Sequence, residues 1–257
     1  MRAGALTAQT TPSLRAQRLA WAGIRLQLDS GSLFIDPLIN RAVWEGALRD
    51  KIIPVGGAPG DRFVLVTHRH PDHFDPLAIT QALGDNGTLV YAAQTGIPNI
   101  AGVKMRAGAL YEPLLLGDFT ATAVPAVDGY GDPQVSWIVS AGGRRIIHCG
   151  DTLWHGSWWH IGRQYGPFDA AFLPINGAKF SWRKPITDVA AVMTAEQAVA
   201  AAAVIGARLI VPIHYGVVGA EGYAEDRHAE EELRSCGNKR HVDIEILKPG
   251  GWVEWHA

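Results

Sequence analysis

VTHRHPDHFD, residues 66–75, sets three histidines and two aspartates within ten positions of a chain otherwise rich in Ala, Val, Leu and Gly. Such side chains are costly to bury and fill a core poorly. They follow RFVLVT (62–67), an apolar run that reads as a short buried strand. His68 and His70 stand two apart at its end, so an extended chain points both to one side, where they can share a cation. Pro71 turns the chain, and Asp72 and His73 then face a second position a short distance away. Asp75 and Pro76 read as the N-cap and first residue of a helix that ends near Leu83, before Gly84. A lone histidine is most often a satisfied or exposed side chain. Four metal-capable residues in six positions at a strand-to-helix turn are hard to explain that way.

Strand-like runs and turns fill most of the remaining chain. Residues 19–28 and 32–36 flank Asp29-Ser30-Gly31 and read as a hairpin. Residues 88–93 and 118–127 are further strands, and 135–140 with 144–149 form a second hairpin. FDAAFLPI (168–175) and ARLIVPI (207–213) are apolar enough to be central strands. At the end, VDIEILK (242–248) is expected to pair with WVEWH (252–256) around Pro249-Gly250-Gly251. Thr194 and Gln197 form a capping-box pattern that opens a helix running to Gly206. With no repeat and no change of composition, one α/β domain is the economical reading, with residues 1–18 as an N-terminal extension.

Two distant residues complete the candidate cluster. Asp151 lies in HCGDT (148–152), just after a strand, and taken alone it could cap a turn. His214 lies in VPIHYG (211–216), at the C-terminal end of an apolar strand, and taken alone it could be a buried histidine bonded to backbone. Strand ends are where an α/β sheet presents its active-site groups.

In this order and spacing, THRHPDH (67–73), CGDT (149–152) and PIHYG (212–216) resemble the metallo-β-lactamase superfamily. The closer likeness is to its branch around L-ascorbate 6-phosphate lactonase and N-acyl-phosphatidylethanolamine phospholipase D. LFIDP (33–37) and MTAEQAV (193–199) resemble other stretches of that branch, and the likeness covers roughly residues 19–255. The resemblance implies a four-layer αββα sandwich with a divalent-metal centre of one or two ions (zinc, or manganese or iron) at one edge of its two sheets. By matching positions, His68 and His70 would hold one ion, Asp72, His73 and His214 the other, and Asp151 would bridge them.

Two positions depart from the family pattern. The histidine usual after the strand 118–127 is replaced by Asp128 in PAVDG, and the branch's Gly-His-Ala is replaced by Gly23-Ile24-Arg25. Asp128 has three readings: a carboxylate ligand in place of imidazole, the first residue of an Asp-Gly turn, or the mark of a site working with a single ion. His148, three residues before Asp151, is expected to point to the opposite face.

Two cations sharing a water give a metal-bound hydroxide near neutral pH and polarise the bond under attack. The expected activity is hydrolysis of an ester, lactone or phosphoester bond, with Asp72 and His73 as catalytic residues at the metal. Substrate contacts are expected from LWHGSWWHIGRQYG (153–166), with Trp154 and His155, from NGAKFSWRK (176–184), with Asn176 and Lys179, and from Tyr215. Trp154 and Trp158 are spaced to share one helix face, so they read either as packing or as a lid.

Composition narrows the alternatives. A net charge of −2 and the lack of a Lys/Arg-rich run give no case for a nucleic-acid surface. No apolar run is long enough to span a membrane. Two cysteines imply no disulfide framework, and the cytoplasm is the simplest compartment. The expected partner is a small-molecule substrate, and homo-oligomerisation is left open. The competing readings are an iron-dependent, non-hydrolytic redox enzyme of the same superfamily and a binding protein with a partly degenerate metal site.

Overall fold

The computed structural model describes residues 13–255. One six-stranded sheet is built in chain order from β1 (Arg15–Arg18), β2 (Ile24–Leu28), β3 (Gly31–Ile35), β4 (Asp61–Val66), β5 (Thr88–Ala92) and β6 (Lys104–Gly108). β1, β2 and β3 pair antiparallel, and β3 to β6 run parallel. The second sheet holds β7 (Pro113–Leu116), β8 (Phe119–Pro125), β9 (Val135–Ala141), β10 (Arg144–His148) and β11 (Ala170–Pro174). A short ribbon pairs β12 (Lys179–Phe180) with a later strand, while β13 (Leu209–Ile213) continues the second sheet beside β11. The ribbon's partner is β14 (Tyr223–Ala224), and β15 (Asp243–Ile244) closes the second sheet beside β13.

Alternation along β4 explains the layering. Leu65 turns inward to the core between the sheets, with Leu26, Leu33, Trp137, Ile146, Phe172 and Val211. Val64 and Val66 turn outward beneath helix α1 (Pro76–Leu83), with Ile79, Ala82 and Leu83. On the far side, Ile147, Leu173 and Ile210 pack beneath α2 (Trp158–Tyr165), α3 (Ala195–Ile205) and α4 (Ala229–Arg240). The result is the expected αββα sandwich. Both faces of the central strands are covered, so those strands read as continuous apolar runs. Each fully buried Leu, Ile or Phe contributes about 1.5–3 kcal/mol.

The helix ends follow their sequence signals. Asp75 Oδ1 accepts from the Leu77 and Ala78 amides, while Oδ2 accepts from Ile39 and Asn40. Asp75 is therefore committed to capping α1 and to pinning the chain after β3. Thr194 and Gln197 close the capping box of α3, and Gly206 ends it in the left-handed region (φ 68°).

Three expectations are corrected. Residues 15–18 of the expected extension form edge strand β1, and Arg18 is buried against Asp50 at 2.9 Å. The tail does not fold back on itself: Trp252 bridges to Gln17 of β1, and β15 pairs parallel with β13. Period-two patterning identifies strands but does not choose their partners. Trp154 lies outside α2, which begins at Trp158, so the two do not share a helix face. Residues 1–12 of the expected extension, and His256 of the tail, lie outside the described residues.

Candidate metal centre

Four strand ends deliver the cluster. His68 to His73 follow β4, Asp128 follows β8, Asp151 follows β10 and His214 follows β13. Gly150, with φ 61°, lets the chain turn so that Asp151 points back over the sheet edge; a Cβ there would lie 3.1 Å from the Thr67 hydroxyl. His214 itself takes a left-handed conformation (φ 57°).

The side chains converge in two groups. His68, His70, Asp128 and Asp151 form one and Asp72, His73 and His214 the other, with ligand atoms inside each group within 4.8 Å of one another. His68 Nε2 lies 2.9 Å from His70 Nδ1 and 3.7 Å from Asp151 Oδ2, and His70 Nδ1 lies 3.8 Å from Asp128 Oδ2. In the second group, Asp72 Oδ2 lies 3.5 Å from His73 Nε2 and 3.7 Å from His214 Nε2. Asp151 Oδ2 is 4.0 Å from His73 Nε2 and 3.9 Å from His214 Nε2, so it faces both groups.

Behind the cluster, hydrogen bonds fix which ring nitrogen points inward. The Thr67 hydroxyl donates to Asp36 Oδ2 at 2.6 Å, which leaves its lone pairs for His68 Nδ1–H at 3.0 Å. His73 Nδ1–H donates to the same carboxylate oxygen at 2.8 Å. Asp36 thus sets two rings at once, from a fully buried position. His70 Nε2–H donates to Asp132 Oδ2 at 3.0 Å, which leaves Nδ1 for the cluster. His214 Nδ1 lies 3.1 Å from Asn176 Nδ2, which leaves Nε2 on the inward side. Trp21 donates from Nε1 to Asp72 Oδ2 at 3.0 Å, and its ring lies 4.1 Å from that of His214.

The fit to a cation is visible in what lacks a partner. His73 Nε2, His214 Nε2 and Asp151 Oδ1 are buried and make no hydrogen bond. Orphaned buried polar atoms are costly, and a divalent ion in the group of Asp72, His73 and His214 would satisfy the two Nε2 atoms together. Without one, the cluster's charges perturb each other. Burial alone would raise the Asp72 carboxyl, but His73 and His214 hold it well below the usual carboxylate range. Burial alone would lower His73, yet Asp72, Asp36 and Asp151 raise it to about 10. His68 is pushed well down by burial and by its histidine neighbours, and Asp151 is pushed up by burial.

Asp128 forms the turn of its second reading and faces the cluster with its other oxygen. Its Oδ1 accepts from the Tyr130 and Asp132 amides at 2.7 and 3.1 Å, forming a turn, while Oδ2 faces His70. His148 points away, its Nε2–H donating to the Ala22 carbonyl at 2.7 Å.

A cavity of about 300 Å³ opens beside both groups, with Trp44, Tyr130, Phe180, Trp182, Arg183 and Val192 on its walls. None of the five expected substrate residues lines it. Asn176 sits behind His214, bonded to Tyr223 as well. Lys179 is exposed on a neighbouring groove. Tyr215 packs under the Arg18 guanidinium at 4.8 Å. His155 stacks on Trp158 at 4.4 Å, buried and lowered to about 4 by that burial, and Trp154 packs edge-on against Trp159. The loop 176–184 does reach the site, through Phe180, Trp182 and Arg183 rather than through Asn176 and Lys179. Asp36, Asp132 and Trp21 were missed as supports. LFIDP (33–37) offered one signal, an aspartate ending an apolar strand, whereas Asp132 looks like any surface carboxylate.

Comparison with known proteins agrees with this geometry. Residues 32–215 match the family described as "Beta-lactamase superfamily domain". A UPF0173 metal-dependent hydrolase from Thermococcus kodakarensis is 31% identical over 199 residues, covering 74% of this chain and 80% of its own. Among solved structures, Igni18, a metallo hydrolase from Ignicoccus hospitalis, superposes with a TM-score of 0.68 at 20% identity, covering 93% of this chain and 97% of its own. CmlA, a diiron β-hydroxylase from Streptomyces venezuelae, gives 0.68 at 14% identity over 95% of this chain and 54% of its own.

Proposed function

The chain belongs to the beta-lactamase superfamily domain family, and from that premise we propose that it is a metal-dependent hydrolase of an ester, lactone or phosphoester bond. In this reading His68, His70, Asp128 and Asp151 hold one divalent ion, and Asp72, His73, Asp151 and His214 hold the other. The observation that carries it is the pair of orphaned buried nitrogens, His73 Nε2 and His214 Nε2, which lie 4.0 and 3.9 Å from Asp151 Oδ2. Ions bound there would bring the pKa of water toward neutrality and polarise the bond under attack.

The chain's own groups supply the rest. Asp36 and Thr67 fix the ring orientation and tautomer of His73 and His68 by accepting from Nδ1–H on the far side of each ring, so that Nε2 of each faces the cluster. Trp21 holds Asp72 Oδ2 at the face of the cavity, where that carboxylate orients the attacking water. The aromatic walls keep bulk water from the reacting bond. A cavity of about 300 Å³ suits a small molecule.

The three carboxylates Asp72, Asp128 and Asp151 also favour a second reading, an iron-dependent redox enzyme on the same ligands, since hard oxygen donors suit iron and manganese. Protein purified without added metal, stripped with a chelator and reloaded singly with Zn²⁺, Mn²⁺ or Fe²⁺, separates the two. Hydrolysis of a lactone and phosphodiester panel should vanish on stripping and return on reloading without oxygen uptake. The melting temperature should fall by about 10 °C on stripping, because metal bound only to the native state stabilises it by roughly 4 kcal/mol at saturating excess. Full hydrolysis by demonstrably metal-free protein would overturn the proposal.

A further inference from the structure

The cavity beside the cluster has walls of one chemical kind. Trp21, packed on His214, contacts Trp44 at 4.9 Å between ring centres, and Trp44 contacts Tyr223 at 4.9 Å. Tyr223 contacts Phe180 at 5.3 Å, and Phe180 contacts Trp182 at 4.7 Å and Tyr130 at 5.3 Å. A continuous run of aromatic contacts therefore leads from the inner ligands to the mouth. Its inner members are fixed: Trp44 and Tyr223 are each only 9% exposed. Trp182, 53% exposed on the loop that follows β12, adds an apolar surface at the outer end of this run.

Cationic groups are scarce in the same space. Apart from the candidate ligands, Arg183 is the one charged residue among those lining the cavity. Its guanidinium lies over the Tyr130 ring at 4.2 Å and 3.8 Å from Asp132 Oδ2. Lys179 and Lys184 border neighbouring grooves instead. Inside, the carboxylates Asp72, Asp128 and Asp151 would balance three of the four charges of two divalent ions. An anionic group entering this space would be stripped of water against tryptophan and phenylalanine, with Arg183 the one side-chain cation on the walls and 3.8 Å from Asp132 Oδ2.

We propose, building on the hydrolase reading above, that the substrate is a small uncharged ester or lactone whose apolar part packs against Trp44, Phe180 and Trp182. Phosphoesters and substrates carrying a carboxylate on the acyl side are poor ligands of this cavity. Trp182 and Phe180 set this preference; Trp44 is shared with the packing beneath the site.

The test combines turnover with binding. Metal-loaded protein is given 4-nitrophenyl acetate, phenylacetate and hemisuccinate, which share a leaving group and a reaction, together with bis(4-nitrophenyl) phosphate. Calorimetry measures binding of the unreactive phenylacetamide and of phenyl phosphate. Phenylacetate should exceed acetate in kcat/KM by about tenfold or more, hemisuccinate should fall below acetate, and phenylacetamide should bind more tightly than phenyl phosphate. Trp182→Ala, at a half-exposed position, should raise the Kd of phenylacetamide about tenfold and the KM for phenylacetate with little change in kcat. Phe180→Leu, which keeps an apolar wall, should change both by much less. Faster turnover of the phosphodiester, a hemisuccinate preference, or tighter binding of phenyl phosphate would overturn this inference and leave the hydrolase reading standing. Retained, Trp182-dependent binding of phenylacetamide with no turnover of any compound would support the cavity inference while removing the hydrolase reading.

Discussion

The two ligand groups are built to different standards. Asp72, His73 and His214 are supported by buried partners: Asp36 at 2.8 Å from His73, Asn176 at 3.1 Å from His214 and Trp21 at 3.0 Å from Asp72. In the other group, His68 shares that buried support through Thr67, but His70 is 26% exposed and leans on Asp132, which is itself 25% exposed and shared with Arg69. Asp128 is held by amides of its own loop. A ligand set held by desolvated hydrogen bonds loses little freedom on binding, whereas one held from the solvent side must be ordered by the ion itself. The inner group should therefore bind its ion first and hold it longer, and the outer ion should be the exchangeable one.

Removing an inner ligand should produce the largest effect. His214 lies more than 140 residues from the opening cluster and meets it only through the fold. His214→Ala should abolish tight metal binding and cut kcat/KM on the order of 1,000-fold while the far-ultraviolet circular dichroism stays native. Unchanged metal content and turnover would make His214 a structural histidine.

Next come the supports. Asp36→Asn and Asp132→Asn each weaken one carboxylate behind a ligand histidine, one buried and one at the surface. Competition titration with a chromophoric chelator should show a 10- to 100-fold loss of affinity (about the range for such partners) with Asp36→Asn. The loss with Asp132→Asn should be less than about tenfold and confined to the weaker site. Equal losses would erase the distinction between the groups.

A smaller effect lies in the pH dependence of stability. In metal-free protein His73 is raised from its ordinary 6.5 to about 10, burial opposing and Asp72, Asp36 and Asp151 outweighing it. A folded-state value above the unfolded one stabilises fully below pH 6.5, and that contribution is lost as pH rises toward 10. With metal bound, His73 is neutral throughout and the loss disappears. His68, pushed down by burial, adds nothing above pH 6.5. The gap in melting temperature between loaded and metal-free protein should widen from about pH 7 to about pH 9. A constant gap would mean that metal binding displaces no proton from His73.

The contrast between the groups also explains what the sequence could tell. His68, His70, Asp72, His73, Asp151 and His214 are residue types rarely clustered for packing, and strand ends announce where they point, so they were legible without coordinates. The αββα layering was expected from the family resemblance, whereas the apolar runs by themselves gave one α/β domain with central strands. The supports were less legible. Asp36 could be suspected because a carboxylate closes an apolar strand, but Asp132 becomes a partner of His70 only through the loop that Asp128 turns. The cavity walls were harder still. Trp44 and Trp182 are 138 positions apart and carry no local mark of a shared site. Lys179, with its conspicuous charge, drew attention while its apolar neighbour Phe180 is the residue that lines the cavity.

The proposed metal centre would have two sites of unequal strength, the outer one completed by Asp128. Calorimetric titration of metal-free protein with Zn²⁺ and with Mn²⁺, repeated on Asp128→Asn and Asp128→His, tests it most directly. The account predicts two binding steps in the parent and loss of the weaker step alone in Asp128→Asn. In Asp128→His the weaker step should return with its preference moved from Mn²⁺ toward Zn²⁺. A single step in the parent, or two steps left unchanged by both substitutions, would contradict it and reduce Asp128 to a turn residue.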